Sequence, residues 1–171
     1  KGADLSDKNL TGTILSGADL TDVKLPNISL AKKNFQKTVF DGVDLSNRSL
    51  SGSSLWYTSF KNANMKNTDL RFADLMKTDL TNASLVGSDF SHTAFLLANL
   101  SGISLPDVII EGTNFLKADL SGVDFTMSKQ IVGTIFKESD LSNANFEGVN
   151  LSPKQFFEKE FKNVDRDIIN G

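Results

Sequence analysis

The sequence predicts an all-β solenoid, a parallel β-helix in which one short unit stacks on itself along a single axis. Three observations predict it. Every fifth residue from Leu5 to Phe125 is large and apolar, 25 of 25, comprising 16 Leu, 7 Phe, Met65 and Ile110. Two positions earlier the residue is nearly always small or β-branched, as at Ala18, Val43, Ala73 and Thr78. Between these two lies Asp or Asn in 14 of the 25 units, giving Ala18-Asp19-Leu20 and Ala73-Asp74-Leu75.

A period of five suits neither common element. On an α-helix it advances about 500° per step and spreads the leucines around every side. On a strand an odd period alternates them between faces. Both apolar positions are satisfied when the chain turns a corner every five residues, so that four steps make a square coil with the large and small residues inside. Successive coils then stack about 4.8 Å apart through parallel β-type hydrogen bonds. Glycines recurring two places after the central residue, such as Gly12, Gly42 and Gly122, suit the tight corners.

The A-(D/N)-L-x-x units resemble the pentapeptide-repeat family, over roughly residues 1–151 and thirty apolar centres. The resemblance implies a right-handed, quadrilateral β-helix of about 7–8 coils. One phase slip interrupts it: after Phe125 the centres are Ile131, Phe136, Leu141, Phe146 and Leu151, so an extra residue lies within 126–130 and reads as a local bulge.

Residues twenty apart fall above one another. One interior column reads Leu15, Phe35, Leu55, Leu75, Phe95, Phe115 and Phe136, and its rings are expected to stack toward the C-terminal half. Lys8, Lys33 and Arg48 occupy inward positions. An unpaired interior charge is costly, so these side chains are expected to swing out where the coil is distorted. Most outward columns are polar; Asn27, Asn47 and Asn67 are expected to form an amide ladder.

One outward column departs from the pattern. Trp56, Met76, Leu96 and Leu116 follow the centres of one side in successive coils, a stripe spanning about 14 Å at the coil spacing. Beside them run Lys37, Tyr57, Lys77, Leu97 and Lys117, and Phe72 lies one corner away. Contiguous exposed apolar surface marks interaction sites, with Trp and Tyr in the contact and Lys at its rim. Trp56, Tyr57, Met76, Leu96, Leu97 and Leu116 are therefore the candidate partner-binding residues.

Beyond the coils, Ser152-Pro153-Lys154-Gln155 reads as a helix start, with Ser as N-cap, Pro in the first turn and Gln closing a capping box. Phe157, Phe161, Val164 and Ile168 then recur on one helical face. A helical cap over 152–171 would cover the last coil of a β-helix spanning 1–151. The resemblance also implies an alternative, since in some family members such a helix makes a dimer. The N-terminal end shows no cap. The chain opens at Lys1 inside the repeat, without a Met or a signal-like segment, and is expected to be a processed chain or a domain of something longer.

Composition narrows the function. Net charge is −3, from 18 basic and 21 acidic residues, which argues against direct nucleic-acid binding. Residues 1–80 hold 11 basic and 9 acidic side chains, whereas 81–152 hold 3 and 8. No apolar run is long enough for membrane insertion. Without Cys there is no disulfide, thiolate ligand or Cys nucleophile. His92 is the only histidine and points outward at a corner by register. No catalytic constellation, metal set or cofactor motif is present, so a non-enzyme is expected.

The leading expectation is an interaction scaffold that binds a protein partner or a second copy of itself, including as a homodimer. The resemblance implies an alternative, since some family members mimic B-DNA, bind DNA gyrase and protect it from quinolones. The weak net charge ranks that reading second. Bacterial cytoplasm is the expected compartment, with periplasm or thylakoid lumen as alternatives.

Overall fold

A computed structural model describes residues 1–155, and the chain winds with a corner every five residues. At the corners, those after Leu25 and Leu30 excepted, the carbonyl of the central residue accepts the N–H three residues on, as from Ala18 to Leu15 (3.0 Å) and from Thr58 to Leu55 (3.1 Å). From Gly2 to Gly148 the second corner residue takes a left-handed φ, between 53° and 75°, at every corner except those of Asp7, Asn27 and Met127, as in a type II turn. Each side of the coil is short, and a single residue on it makes a parallel bridge to the residue twenty ahead, such as Asp69 to Asp89 and Asp79 to Asn99. The β-bonding is thus a stack of isolated bridges rather than of extended strands. A corner every five residues leaves one residue per side free to pair.

The large central residues fill the interior, and those from Leu30 to Phe125 are essentially inaccessible. Aromatic rings stack as the column predicts: Phe95 on Phe115 at 5.2 Å and Phe115 on Phe136 at 5.7 Å, both pairs nearly parallel. A second stack, Phe125 on Phe146 at 4.5 Å, meets Phe136 edge-on. The small inward position has a further role. Buried Thr and Ser hydroxyls there, Thr78 excepted, donate to the central carbonyl of the preceding coil, as Thr58 does to Phe35 (2.9 Å) and Thr113 to Phe90 (2.8 Å). A buried hydroxyl is tolerated only when bonded in this way.

The Asp or Asn of the repeat is also explained locally. Its side-chain oxygen accepts the backbone N–H two residues on, at the corner: Asp89 from Ser91 (2.9 Å), Asn99 from Ser101 (3.0 Å), Asp119 from Ser121 (3.0 Å). Where that second residue is Thr21, Thr81, Ser91 or Ser121 its hydroxyl donates to the same oxygen as well, as Thr21 does to Asp19 at 2.6 Å. These bonds favour the ionised carboxylate. Hydrogen bonds from Ser6 hold Asp4 down to about 2 from the ordinary 3.8, and Asp19, Asp44 and Asp140 are lowered by their Thr21, Ser46 and Ser142 partners in the same way. A carboxyl whose folded pKa is depressed stabilises the fold above its unfolded value and loses that contribution as pH falls through the folded one. Thermal stability should therefore hold from neutral pH down to about 5 and decline between about pH 4 and 2. Replacing Asp44 and Asp140 by Asn, which keeps the acceptor but cannot titrate, should flatten that decline in a pH series of melting curves; an unchanged slope would show that the acid sensitivity lies elsewhere.

The extra residue is Gln130, left-handed at φ 50° and exposed. Lys129 still pairs twenty back with Ile109, whereas Ile135 pairs twenty-one back with Asn114. The slip is a one-residue bulge, and the stack continues beyond it.

Of the charged inward residues, Lys8 and Lys33 are exposed as expected. Arg48 corrects the expectation, for it stays half-buried. Its guanidinium donates to the carbonyls of Pro26 (2.7 Å) and Leu25 (3.2 Å), the latter being the bond that a Thr hydroxyl makes at equivalent positions. The expected amide ladder has one rung among the described residues, Asn67 Nδ2 to Asn47 Oδ1 at 3.1 Å. Asn27 does not extend it. Its corner is built differently, with Ile28 N–H donating to Pro26.

At the C-terminal end, Pro153–Gln155 form a 3-10 turn. Gln155 is buried, and its side-chain oxygen accepts the Ser152 N–H (2.7 Å), the reciprocal half of a capping box. Its amide donates to Ile131 (2.8 Å), and its carbonyl accepts the Phe136 N–H (3.1 Å), continuing the stack. Phe157, Phe161, Val164 and Ile168 lie outside the described residues. At the other end Leu5, Leu10 and Leu15 are only half-buried.

Candidate functional site

The candidate stripe is brought together by the backbone stacking. Tyr57 N–H donates to Met76 (2.9 Å), Lys77 N–H to Leu96 (2.9 Å) and Leu97 N–H to Leu116 (3.1 Å), which sets the residues one above another along a single corner. Met76, Leu96 and Leu116 lie half-buried against the flank of the rod. The accessible apolar surface is carried by Trp56, Tyr57 and Leu97, at 37%, 48% and 44% exposure. Lys77 reaches back over Tyr57, with Nζ 3.2 Å from the phenol oxygen and 5.1 Å from the ring centre. Lys117 pairs with Glu138 at 3.2 Å.

The structure adds a second edge. The corner preceding the stripe carries Phe72, 65% exposed, stacked face to face on His92 at 5.2 Å. Below it Arg71 grips Asp69 through Nε (2.9 Å) and Nη2 (3.0 Å). That contact lowers the Asp69 carboxyl, the Arg71 hydrogen bond being its largest cause. Between the two edges lies a side whose outward residues are small: Ser54, Asp74, Ala94 and Asn114.

The left-handed corner position separates these two edges from the others. Gly, Asn and Asp take a left-handed φ most readily, and other residues pay roughly 1–2 kcal/mol for it. At the two remaining corners every left-handed residue obeys that preference, among them Gly42, Asn62 and Asn82 on one and Asn47, Asn67 and Asp107 on the other. The preference is broken where the stripe and Phe72 lie. There the position holds Lys32, Phe72 and His92 among Gly12, Gly52, Gly112 and Gly133 on one corner, and on the other, after Gly17, it holds Lys37, Tyr57, Lys77, Leu97, Lys117 and Glu138. The signal was present in the sequence, because Asn serves the same corner position as the recurrent Gly. Reading both residues together shows which corners depart.

Two shallow cavities lie near the N-terminal coils. One of about 350 Å3 is lined by Leu10, Ile14, Ile28, Lys33 and Phe35, beside the outward-turned Lys33. The other, about 370 Å3, lies beside Asp22, Asp44, Ser46 and Arg48. Among the described residues no group of three or more His, Cys, Asp or Glu side chains is placed to hold a metal ion, and no helix is long and apolar enough to cross a membrane.

Comparison with known proteins bears on the fold. The pentapeptide-repeats family profile matches in 8 copies, over residues 1–30, 49–82, 73–109, 88–126 and 132–152. Among solved structures, the chain is similar to HetL, a pentapeptide repeat protein involved in heterocyst differentiation regulation in the cyanobacterium Nostoc sp. strain PCC 7120, at 24% identity and a TM-score of 0.53. The match covers 84% of this chain and 62% of HetL, so it spans less than two thirds of that relative. It is also similar to Rfr23 of the cyanobacterium Cyanothece 51142, at 20% identity and a TM-score of 0.50, over 76% of this chain and 88% of that one. A looser likeness, at 18% identity and a TM-score of 0.42, is to QnrB1, a plasmid-mediated fluoroquinolone resistance protein, over 77% of this chain and 73% of that one. No curated protein matches. The repeat profile and the likeness to HetL and Rfr23 show a right-handed quadrilateral β-helix. By its repeats and by its fold, this chain belongs to the pentapeptide-repeat family.

Proposed function

We propose that the protein is a non-enzymatic interaction scaffold, and that a protein partner or a second copy docks on the corner formed by Trp56, Tyr57, Met76, Leu96, Leu97 and Leu116. One observation carries this reading: Tyr57 and Leu97 occupy left-handed positions where Gly or Asn would be cheaper, and there they expose apolar surface. The fold does not ask for them, whereas an interface would use them. The rod would comprise about 7–8 coils over residues 1–151, closed by a helical cap over 152–171. The buried Gln155 and its bond to Ser152 support the start of that cap.

Substituting Trp56→Lys together with Leu96→Lys is expected to abolish partner capture or shift the oligomeric state, with the circular dichroism of the coil unchanged. Association that survives both changes would end this reading. Action as a DNA mimic on gyrase ranks below it. Lys77, Lys117 and Arg71 interrupt the acidic surface that such mimicry would need.

A further inference from the structure

The two departing corners bound one side of the rod, and that side forms a trough. Its floor is the small column Ser54, Asp74, Ala94 and Asn114, joined by successive bridges. One wall is the stripe corner, with Trp56, Tyr57 and Leu97 exposed along it. The other is the Phe72–His92 stack. Four residue steps separate Phe72 from Met76, so the walls stand at most about 13 Å apart at strand extension. An α-helix with its side chains is about 10–12 Å across. Its turns repeat every 5.4 Å, close to the coil spacing of about 4.8 Å, so a helix laid along the rod would set one side chain per turn against one coil over about three steps.

Charge is divided around the rod in the same way. Over residues 1–152, the trough side and its two corners hold seven basic side chains (Lys32, Lys33, Lys37, Arg71, Lys77, Lys117 and Lys137) and three acidic ones (Asp74, Glu111 and Glu138). The other three sides and two corners hold seven basic against fourteen acidic. The excess is greatest in the N-terminal coil, at Lys32, Lys33 and Lys37, and beside the trough floor Arg71, Lys77 and Lys117 stand against Asp74 and Glu111.

Resting on the interaction reading above, we infer that the trough binds an amphipathic α-helix of a protein partner, with apolar residues at i, i+4, i+7 and i+11 and acidic residues along its flanks. The apolar residues lie between the stripe and Phe72, and the carboxylates face Lys77 and Lys117 on the stripe rim and Arg71 on the other. Charge complementarity of this kind selects the partner and speeds its approach.

Trp56 is the single tryptophan and lies on one wall, so its fluorescence reports occupancy. The full chain is titrated with two stapled 14-residue helices that carry Leu at the four positions and differ only in having Glu or Lys on the flanks. The Glu helix should shift Trp56 emission to the blue and bind about tenfold more tightly than the Lys helix, a margin that shrinks as salt rises. Phe72→Asn, which removes the far wall and leaves the stripe intact, should weaken the Glu helix about fivefold, the loss of one apolar contact. No binding by the Glu helix, or equal binding by the Lys helix, overturns the inference. A peptide of residues 156–171 that binds more tightly than the Glu helix overturns it in favour of the chain's own segment. Vesicles containing 30% phosphatidylglycerol that shift the emission more than the Glu helix overturn it in favour of a membrane surface. If Phe72→Asn binds the Glu helix normally, the trough is wrong while the stripe stands. If the Trp56 and Leu96 substitutions leave partner capture intact, the interaction reading itself fails.

Discussion

Phe115→Ala should lower the unfolding free energy by about 3–5 kcal/mol, the usual cost of emptying a buried aromatic site. The ring is inaccessible and packs flat between Phe95 and Phe136, with Phe125 edge-on at 6.4 Å. In a stacked solenoid each coil touches only its neighbours, so there is little surrounding core to collapse into the hole. For a chain of this size the loss corresponds to a fall in melting temperature of roughly 6–20 °C. The break should also uncouple the C-terminal coils from the rest, giving two melting transitions in place of one. Phe115→Leu is the control. Leu55 and Leu75 already fill the same column, so it should cost only about 1 kcal/mol. A cost below that figure for Phe115→Ala would mean that the ring column does not hold the coils together.

Trp56→Lys with Leu96→Lys should abolish association while leaving the coil folded. The two residues sit two coils apart on one corner and are linked through the Met76 level by the backbone stack. Trp56 is partly exposed and Leu96 half-buried, so a lysine at either site can lift its ammonium into water while its stem covers the flank. Two charges placed in the middle of an apolar contact would have to be desolvated on docking. Truncating or blocking such a residue commonly costs 2 kcal/mol or more of binding, about thirtyfold for each site. The change is read by sedimentation velocity and by the yield of crosslinked partner beside the wild type. A loss of helical-coil signal would instead show that the corner supports the fold.

Much of this was legible in the sequence because the repeat leaves little freedom. A corner every five residues fixes which residues point inward, so the ring column Phe95–Phe115–Phe136 could be written down before any coordinates. The bulge was visible as a lost phase between Phe125 and Ile131. Its placement at Gln130 was not, since Ser128, Lys129 and Gln130 are all polar and any of them could be the unpaired residue. Arg48 misled because an inward charge reads as an error. Its guanidinium finds carbonyls 22 and 23 residues back, a partner that only the stacking reveals. The stripe emerged from a column count. The trough did not, because Phe72 had to be seen as the opposite wall of the same side rather than a neighbour of the stripe.

The central claim is that the bulky residues on the two departing corners serve docking rather than folding, and the double substitution Tyr57→Asn with Leu97→Asn tests it most directly. Asn is what the left-handed corner prefers and is what Asn62, Asn67 and Asn82 already supply elsewhere on the rod. Melting temperature and partner capture are measured on the same preparation. The account predicts a melting temperature at or above that of the wild type together with loss of capture. A fall of more than a few degrees, or capture at the wild-type level, would contradict it.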